Sequence, residues 1–261
     1  DSTAHRDDTV AAGGDATDKV AAARFCGEAV SVLAELERWG LVLRRREGGL
    51  PHASEAPGHS RARLTGCGDS TAREVTRILE EQAIKRGVPR RSDLVPLSLV
   101  MDNQQVRGVV VFDLMTGEIA SIQSKAVILA TEGHQGIWSA PSNGSGTGAA
   151  LAAAAGVDLT GMIHSPRHPL TIRGTDMQLP FDLLGSGGRL RKESGEDAGP
   201  EAVFDGEGCV LDLRSLDAVA SPWFAQTARR VRDRAGLDIA TEVIPLTSSI
   251  AATTGGAPVD E

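Results

Sequence analysis

Hydrophobic spacing along the chain changes period twice. Between positions 16 and 39, Val20, Ala23, Val30, Leu33, Leu36 and Trp39 recur mostly at three- and four-residue steps, which predicts a helix with one apolar stripe, ended by Gly40. The polar, glycine-bearing residues 1–15 read as an extended or loose entry. Leu41-Val42-Leu43 is a short strand candidate and Gly48-Gly49 a turn. A second helix is predicted over 71–86. Thr71 and Glu74 have capping-box spacing, Val75, Ile78, Leu79 and Ala83 share a face, and Gly87 suits the position after the last turn. Alternation then takes over, and 94–101, 106–114 and 119–123 read as strands of an antiparallel meander turning at Asp102-Asn103 and Met115-Thr116-Gly117-Glu118. The meander feeds Ala126-Val127-Ile128-Leu129-Ala130, an unbroken apolar run with the pattern of a strand buried on both faces.

Small residues follow: Thr131-Glu132-Gly133, then Ser142-Asn143-Gly144-Ser145-Gly146-Thr147-Gly148. The nearly all-alanine run 149–155 predicts a helix whose first turn points free N–H groups and a positive dipole end at the same place, where an anion is welcome. A strand, a loop and a core helix with no ligand fit this stretch equally well. From His164 to about Ala202 the text is Pro-, Gly- and Arg-rich with weak periodicity, which sets a boundary near Met162 and a smaller lobe beyond it. Within that lobe 203–213 is strand-like, and 222–235 is a helix with Phe224, Ala228 and Val231 inward, closed by Gly236.

Composition narrows the class. The 261 residues are 41% hydrophobic and 24% charged, enough for a sizeable core. With 3% aromatics and no tyrosine, that core must be built from Ala, Val, Leu and Ile. A net charge of −8 argues against a nucleic-acid footprint, and the short basic clusters Arg44-Arg45-Arg46 and Arg90-Arg91 read as solvated faces. Cys26, Cys67 and Cys209 are scattered, without Cys-x-x-Cys spacing, so no metal site or disulfide framework is expected and a reducing compartment fits better. No run reaches the roughly 18 apolar residues that span a bilayer, and the chain reads as soluble.

Several segments resemble, in order, the flavoprotein family that holds the succinate dehydrogenase and fumarate reductase flavin subunits and L-aspartate oxidase. Lys125 to Gly133 is similar to its A-K-A-V-x-L-A-T-G-G, Gly146-Thr147-Gly148 to T-G-D-G, and His168-Pro169 to the end of E-F-x-Q-F-H-P-T. Upstream, Gly58-His59-Ser60-Arg61 is similar to G-G-H-S-x-x-R, and Asp69, Thr71 and Arg73-Glu74-Val75 to D-x-T-G-R-E-V. Downstream, Val210 to Arg214 is similar to its D-L-R segment, and Val243-Ile244-Pro245 with Gly255-Gly256 to P-I-P and G-G-I. The resemblance implies an α/β fold of α+β character. It consists of a partial FAD-binding domain of dinucleotide-fold type with its meander over 1–162, a cap-like lobe over 163–250, and a return to the first domain over 251–261. It also implies FAD contacts at Ala130, Thr131, Gly133, Gly146 and Gly148, and a substrate cavity at His168, His59 and Ser60.

Family enzymes move a hydride between the flavin and a four-carbon dicarboxylate, with histidines, a threonine and arginines clamping the carboxylates and an arginine carrying the proton. This chain departs from that set. Pro180 and Phe181 stand where the family has Thr-Glu, Leu184 where it has Arg, Ser186 where it has a second Glu and Ala251 where it has a clamp histidine. The proton-shuttling R-D-x-x-x-R segment has no counterpart between Glu193 and Val203. No G-x-G-x-x-G turn follows a strand, and Glu132 replaces a glycine. The expectation is therefore a divergent, truncated homologue with no catalytic residue and no metal site on this chain, and with FAD more readily absent from it than bound. Protein partners in a larger respiratory complex, on the cytoplasmic or mitochondrial-matrix side, complete the reading. The alternative is a non-catalytic structural or assembly subunit of such a complex.

Overall fold

A computed structural model describes residues 1–138 and 144–258, so Ser142 and Asn143 of the glycine loop and the last three residues lie outside the described residues. It mixes helices with antiparallel sheet, as expected, in two compact units: Asp1–Pro89 with Leu179–Leu246, and Arg90–Gln178 with the residues from Thr247 on.

The first unit opens on α1 (Ser2–Gly13), where a loose entry was expected. Asp1 caps it by accepting from the N–H groups of Thr3 (3.1 Å) and Ala4 (3.4 Å). Docking on α2 (Lys19–Arg38) supplies what the polar sequence lacks, and the Thr9 hydroxyl lies 3.6 Å from Sγ of Cys26. The expected stripe of α2 splits. Leu33, Leu36 and Trp39 pack on Leu41, Leu43, Cys67 and Ile78, whereas Val20 and Val30 are 69% and 70% exposed and the buried N-terminal side chains are Ala22 and Cys26.

Residues 41–43 form no ladder, but Leu41 and Leu43 are buried, and the turn at Gly48-Gly49 forms with both φ values positive. Helix α3 (Thr71–Lys85) begins without the expected capping box. Thr71 Oγ1 donates to the Gly68 carbonyl (2.8 Å) and accepts from the Cys67 N–H (3.0 Å), and Glu74 turns to Arg77. The strand predicted over 203–213 is instead α5 (Pro200–Phe204) followed by a fully buried strand, called β6 below, because Pro200 suits a helix start.

In the second unit the meander forms as read, from β1 (Leu94–Asp102), β2 (Gln105–Asp113) and β3 (Ile119–Gln123), in that order and antiparallel. Asn103 and Gln104, both at positive φ, make the tight turn. The predicted buried strand over 126–130 does not form. That segment runs in no ladder, and Ile128 is 90% exposed. Its apolar pattern is that of a strand flanked on both edges, and no such flanking strand occurs among the described residues. Helix α4 (Thr147–Ala154) starts at Gly146, whose φ of 76° is the left-handed conformation glycine permits.

Strand β4 (Arg167–Ile172), which carries His168, forms within the stretch of weak periodicity, and its Pro169, Leu170, Thr171 and Ile172 are buried. In the first unit, β5 (Arg189–Lys192) pairs antiparallel with β6 (Cys209–Asp212). Helix α6 (Ala225–Ala235) buries Val231, as Phe224 just before it is buried, and ends at Gly236 as predicted. Strand β7 (Ile244–Ile250) serves both units: Ile244 and Pro245 pair with β6, and Ser249 bonds Thr171 of β4 (2.7 Å).

Candidate functional site

The second unit holds a cavity of about 640 Å³ where the ribbon over 126–130 meets the glycine loop, lined by Ile128, Thr131, Gly133, His134, Gly148 and Thr253 among others. The loop closes on itself through main-chain bonds: the Gly146 N–H donates to the Gly133 carbonyl (3.0 Å), and the Gly136 N–H to the Gly144 carbonyl (2.9 Å). Thr253 Oγ1 accepts from the His134 N–H at 2.8 Å. Side chains are excluded here by space. A Cβ on Gly148 would lie 2.0 Å from Thr131 Oγ1, and one on Gly133 2.2 Å from Thr253 Oγ1. Of the five residues expected to touch a cofactor, Thr131, Gly133 and Gly148 therefore line this cavity. Gly146 caps α4 and braces the loop, and Ala130 ends the ribbon. The first turn of α4 has no side-chain cap, so its leading N–H groups have no intrahelical partner.

His168 sits in the same unit, on β4. Burial pushes its imidazole down to about 4, and its Nδ1 accepts from the Leu170 N–H at 3.1 Å. It is therefore neutral around pH 7 with the proton on Nε2, and offers no positive charge.

His59 and Ser60 belong to the first unit, where they line a pocket of about 400 Å³ with Glu55, Arg61, Leu184 and Gly185. Burial is the main cause that lowers the His59 imidazole, with Arg63 adding to it. Beside it, Asp8 of α1 accepts from the Ser60 N–H (2.8 Å), the Ser60 hydroxyl (2.9 Å) and the Arg63 guanidinium.

A buried polar chain in the first unit has no counterpart in the sequence reading. Arg44 was read as part of a solvated basic face, yet it is 6% exposed. Its Nη1 donates to Asp182 Oδ2 (2.8 Å) and to Ser186 Oγ (3.1 Å), and its guanidinium lies 5.5 Å from the centre of the Phe224 ring. Ser54 donates to Asp182 Oδ1 and lies 2.9 Å from His52 Nε2. Asp182 and Ser186 belong to the 3₁₀ stretch Phe181–Ser186, so the segment that departs most from the family pattern is tied down by its own polar groups. Nothing local marks Arg44 apart from Arg45 and Arg46; only the pairing across 138 residues does.

Residues 1–260 of the 261 match the family model described as FAD binding domain. This chain belongs to that family. Its relatives bear out the resemblance carried by the motifs. It is 31% identical over 196 residues to the 8-methylmenaquinol:fumarate reductase flavoprotein subunit of Wolinella succinogenes, covering 74% of this chain and 32% of that one. It is 30% identical over 239 residues to an uncharacterized FAD-dependent oxidoreductase of Methanocaldococcus jannaschii, covering 90% of this chain and 44% of that one. Among solved structures, an Escherichia coli quinol fumarate reductase chain superposes with a TM-score of 0.87 at 22% identity, over 98% of this chain and 52% of that one. The FAD-binding-domain chain thus spans about a third to a half of the length of these relatives. No described helix is long and apolar enough to cross a membrane, and no group of three or more His, Cys, Asp or Glu among the described residues is placed to hold a metal ion.

Proposed function

We propose that this chain supplies one wall of an FAD site in a flavoprotein of the succinate dehydrogenase and fumarate reductase type, and that dicarboxylate turnover is lost on it. The supporting observation for the wall is the cavity at Thr131, Gly133 and Gly148, where the close approach of Thr131 to the α4 backbone leaves no room for a Cβ on Gly148. Such a cradle suits a cofactor that must approach backbone, and the uncapped first turn of α4 offers N–H groups to its phosphates. The described residues fit one edge of the cofactor and not all of it, since no glycine-rich turn follows a strand and the ribbon over 126–130 has no ladder. When bound, FAD supplies two-electron redox chemistry. The chain's own groups orient it, and Pro180 and Phe181 supply no acid or base.

The loss of turnover rests on the reacting groups. Leu184 and Ala251 cannot clamp a carboxylate, Asp182 and Ser186 are engaged by Arg44 and Ser54, and His168 is neutral. Groups that act as a unit in catalysis fail as a unit. The exposed ribbon favours one further reading, that the site is completed by partner polypeptides of a larger complex, with this chain as the structural half.

Visible spectroscopy and a dye-linked assay test the proposal. The chain alone is expected to purify colourless and to oxidise no succinate, while a preparation carrying its natural partners retains flavin that Gly148→Val removes. Turnover by the chain alone overturns the lost chemistry, flavin held by the chain alone overturns the half-site, and a partnered preparation free of flavin overturns the cofactor reading.

A further inference from the structure

Part of the apolar pattern of α2 finds no use inside the first unit. Val20 and Val30 are 69% and 70% exposed. Ala23, Gly27 and Ala34, which share their face, are exposed as well. The five recur at alternating steps of three and four residues, the spacing by which one helix seats itself on another. Gly27 stands at the middle of this face and of a 20-residue helix. Glycine there costs about 1 kcal/mol relative to alanine. A Cβ at Gly27 would meet nothing within 4 Å, so no contact within the chain accounts for the missing side chain. A second helix crossing at that point does, because the distance between helix axes is set by the side chains at the crossing. The charges flanking the face divide by sign along it, with Lys19 and Arg24 in the first half and Glu35 and Glu37 in the second, ahead of Arg38 at the end. The local pair of Arg24 with Glu28 is long at 3.4 Å, with side chains 75% and 62% exposed, so it fixes neither group in place.

We propose that this face of α2 is the contact surface of a homodimer, in which the α2 helices of two copies cross antiparallel with Gly27 of one beside Val30 of the other. A two-fold axis between those positions matches Ala23 with Ala34 of the second copy, so each helix presents the same face to the other. It also brings Lys19 level with Glu37 and Arg24 level with Glu35 of the second copy, and symmetry makes each of these pairs twice. Parallel pairing would set each of those charges level with its own copy, which selects against it. The second copy is preferred over an unrelated helix because the sign change along α2 is complementary to itself when reversed. The proposal concerns the first unit alone and uses neither the flavin nor the substrate chemistry, so it stands or falls apart from the proposed function.

Sedimentation velocity of the full chain over a concentration series measures the pairing. The unaltered chain is expected to dimerise in the micromolar range, as suits a contact of one helix pair. Gly27→Leu should raise the dissociation constant by about tenfold or more, because its side chain stands where the second helix crosses. The same variant should melt no lower than the unaltered chain when both are dilute, since leucine is the better helix former and meets no neighbour. Arg24→Glu should weaken the dimer several-fold, and Glu35→Arg added to it should restore the affinity, a rescue that only the antiparallel register gives. A chain that stays monomeric up to about 200 μM overturns the proposal and leaves the face to a helix of another polypeptide. Dimers that Gly27→Leu leaves intact overturn it too, as does a double charge variant no tighter than Arg24→Glu alone. If Gly27→Leu melts lower than the unaltered chain, Val30→Glu decides: its exposed position tolerates the charge in the monomer, so loss of the dimer supports the pairing and an unchanged dimer overturns it.

Discussion

Removing the Asp182 carboxylate tests whether the Arg44 chain holds the first unit together. In the native structure Asp182 accepts from Arg44 Nη1 at 2.8 Å and from the Ser54 hydroxyl, and the two side chains of the pair are 7% and 14% exposed. Asp182→Ala leaves a guanidinium buried against Phe224 with only Ser186 as a described partner, while the Ser54 hydroxyl keeps its contact with His52 Nε2. Breaking one half of a buried pair costs about 3–5 kcal/mol, because the remaining charge stays desolvated. For a chain of this size roughly 2–4 °C of melting temperature goes with each kcal/mol, so thermal unfolding followed by circular dichroism should show a drop on the order of 10 °C. The double variant Arg44→Met with Asp182→Leu removes both charges and should recover most of that loss, and set against the singles Arg44→Met and Asp182→Leu it should give a coupling of about 2 kcal/mol or more. A cost below about 1 kcal/mol for Asp182→Ala, or a double variant no better than the sum of the singles, refutes the buried-pair reasoning and makes the contact a surface ion pair in effect.

Two further outcomes follow from the second unit. His168 takes up its proton near pH 4 in the folded chain, against an ordinary value of 6.5. Between those values the unfolded state holds more protons, so stability is complete above about pH 6.5 and falls by roughly 2–3 kcal/mol as pH drops towards 4. Urea titrations across that range should show this slope flattened in His168→Gln, and an unchanged slope removes His168 as its source. Ile128, 90% exposed, makes a contrasting case: Ile128→Asp should leave the stability of the isolated chain within about 0.5 kcal/mol while abolishing flavin retention or partner association. A variant that unfolds, or that keeps both functions, contradicts the ribbon's assigned role.

What was legible in the sequence is what local physics decides. The meander followed from alternation and from turns at Asn103 and Gly117, and α4 from its alanines and the left-handed Gly146. Helix ends at Gly40, Gly87 and Gly236 followed from the freedom of glycine to take positive φ. What was not legible depends on distant partners. Helix α1 is polar text made helical by Asp1 and by docking on α2, and Thr71 serves the Cys67 turn instead of a capping box because Gly68 and Cys67 reach it first. Arg44 reads like its two neighbours until Asp182 appears beside it.

The ribbon over 126–130 fails for an instructive reason. Its run of Ala, Val, Ile, Leu and Ala was read as a strand with both faces covered, which presupposes neighbours on either side. A strand has no hydrogen bonds of its own to keep it in place, so without a ladder it becomes an exposed apolar segment even where its residues favour extended backbone. Natural proteins rarely leave such a segment open, because it templates pairing with another chain. The glycine loop that follows it is nevertheless closed by main-chain bonds from Gly146 and Gly136, and the Gly148 backbone still lies against Thr131. The cradle is thus set while the ribbon leading into it has no ladder partner among the described residues. That combination fits a wall awaiting its other half better than a site decayed throughout, in which neither the close glycine packing nor the apolar run has a physical reason to persist.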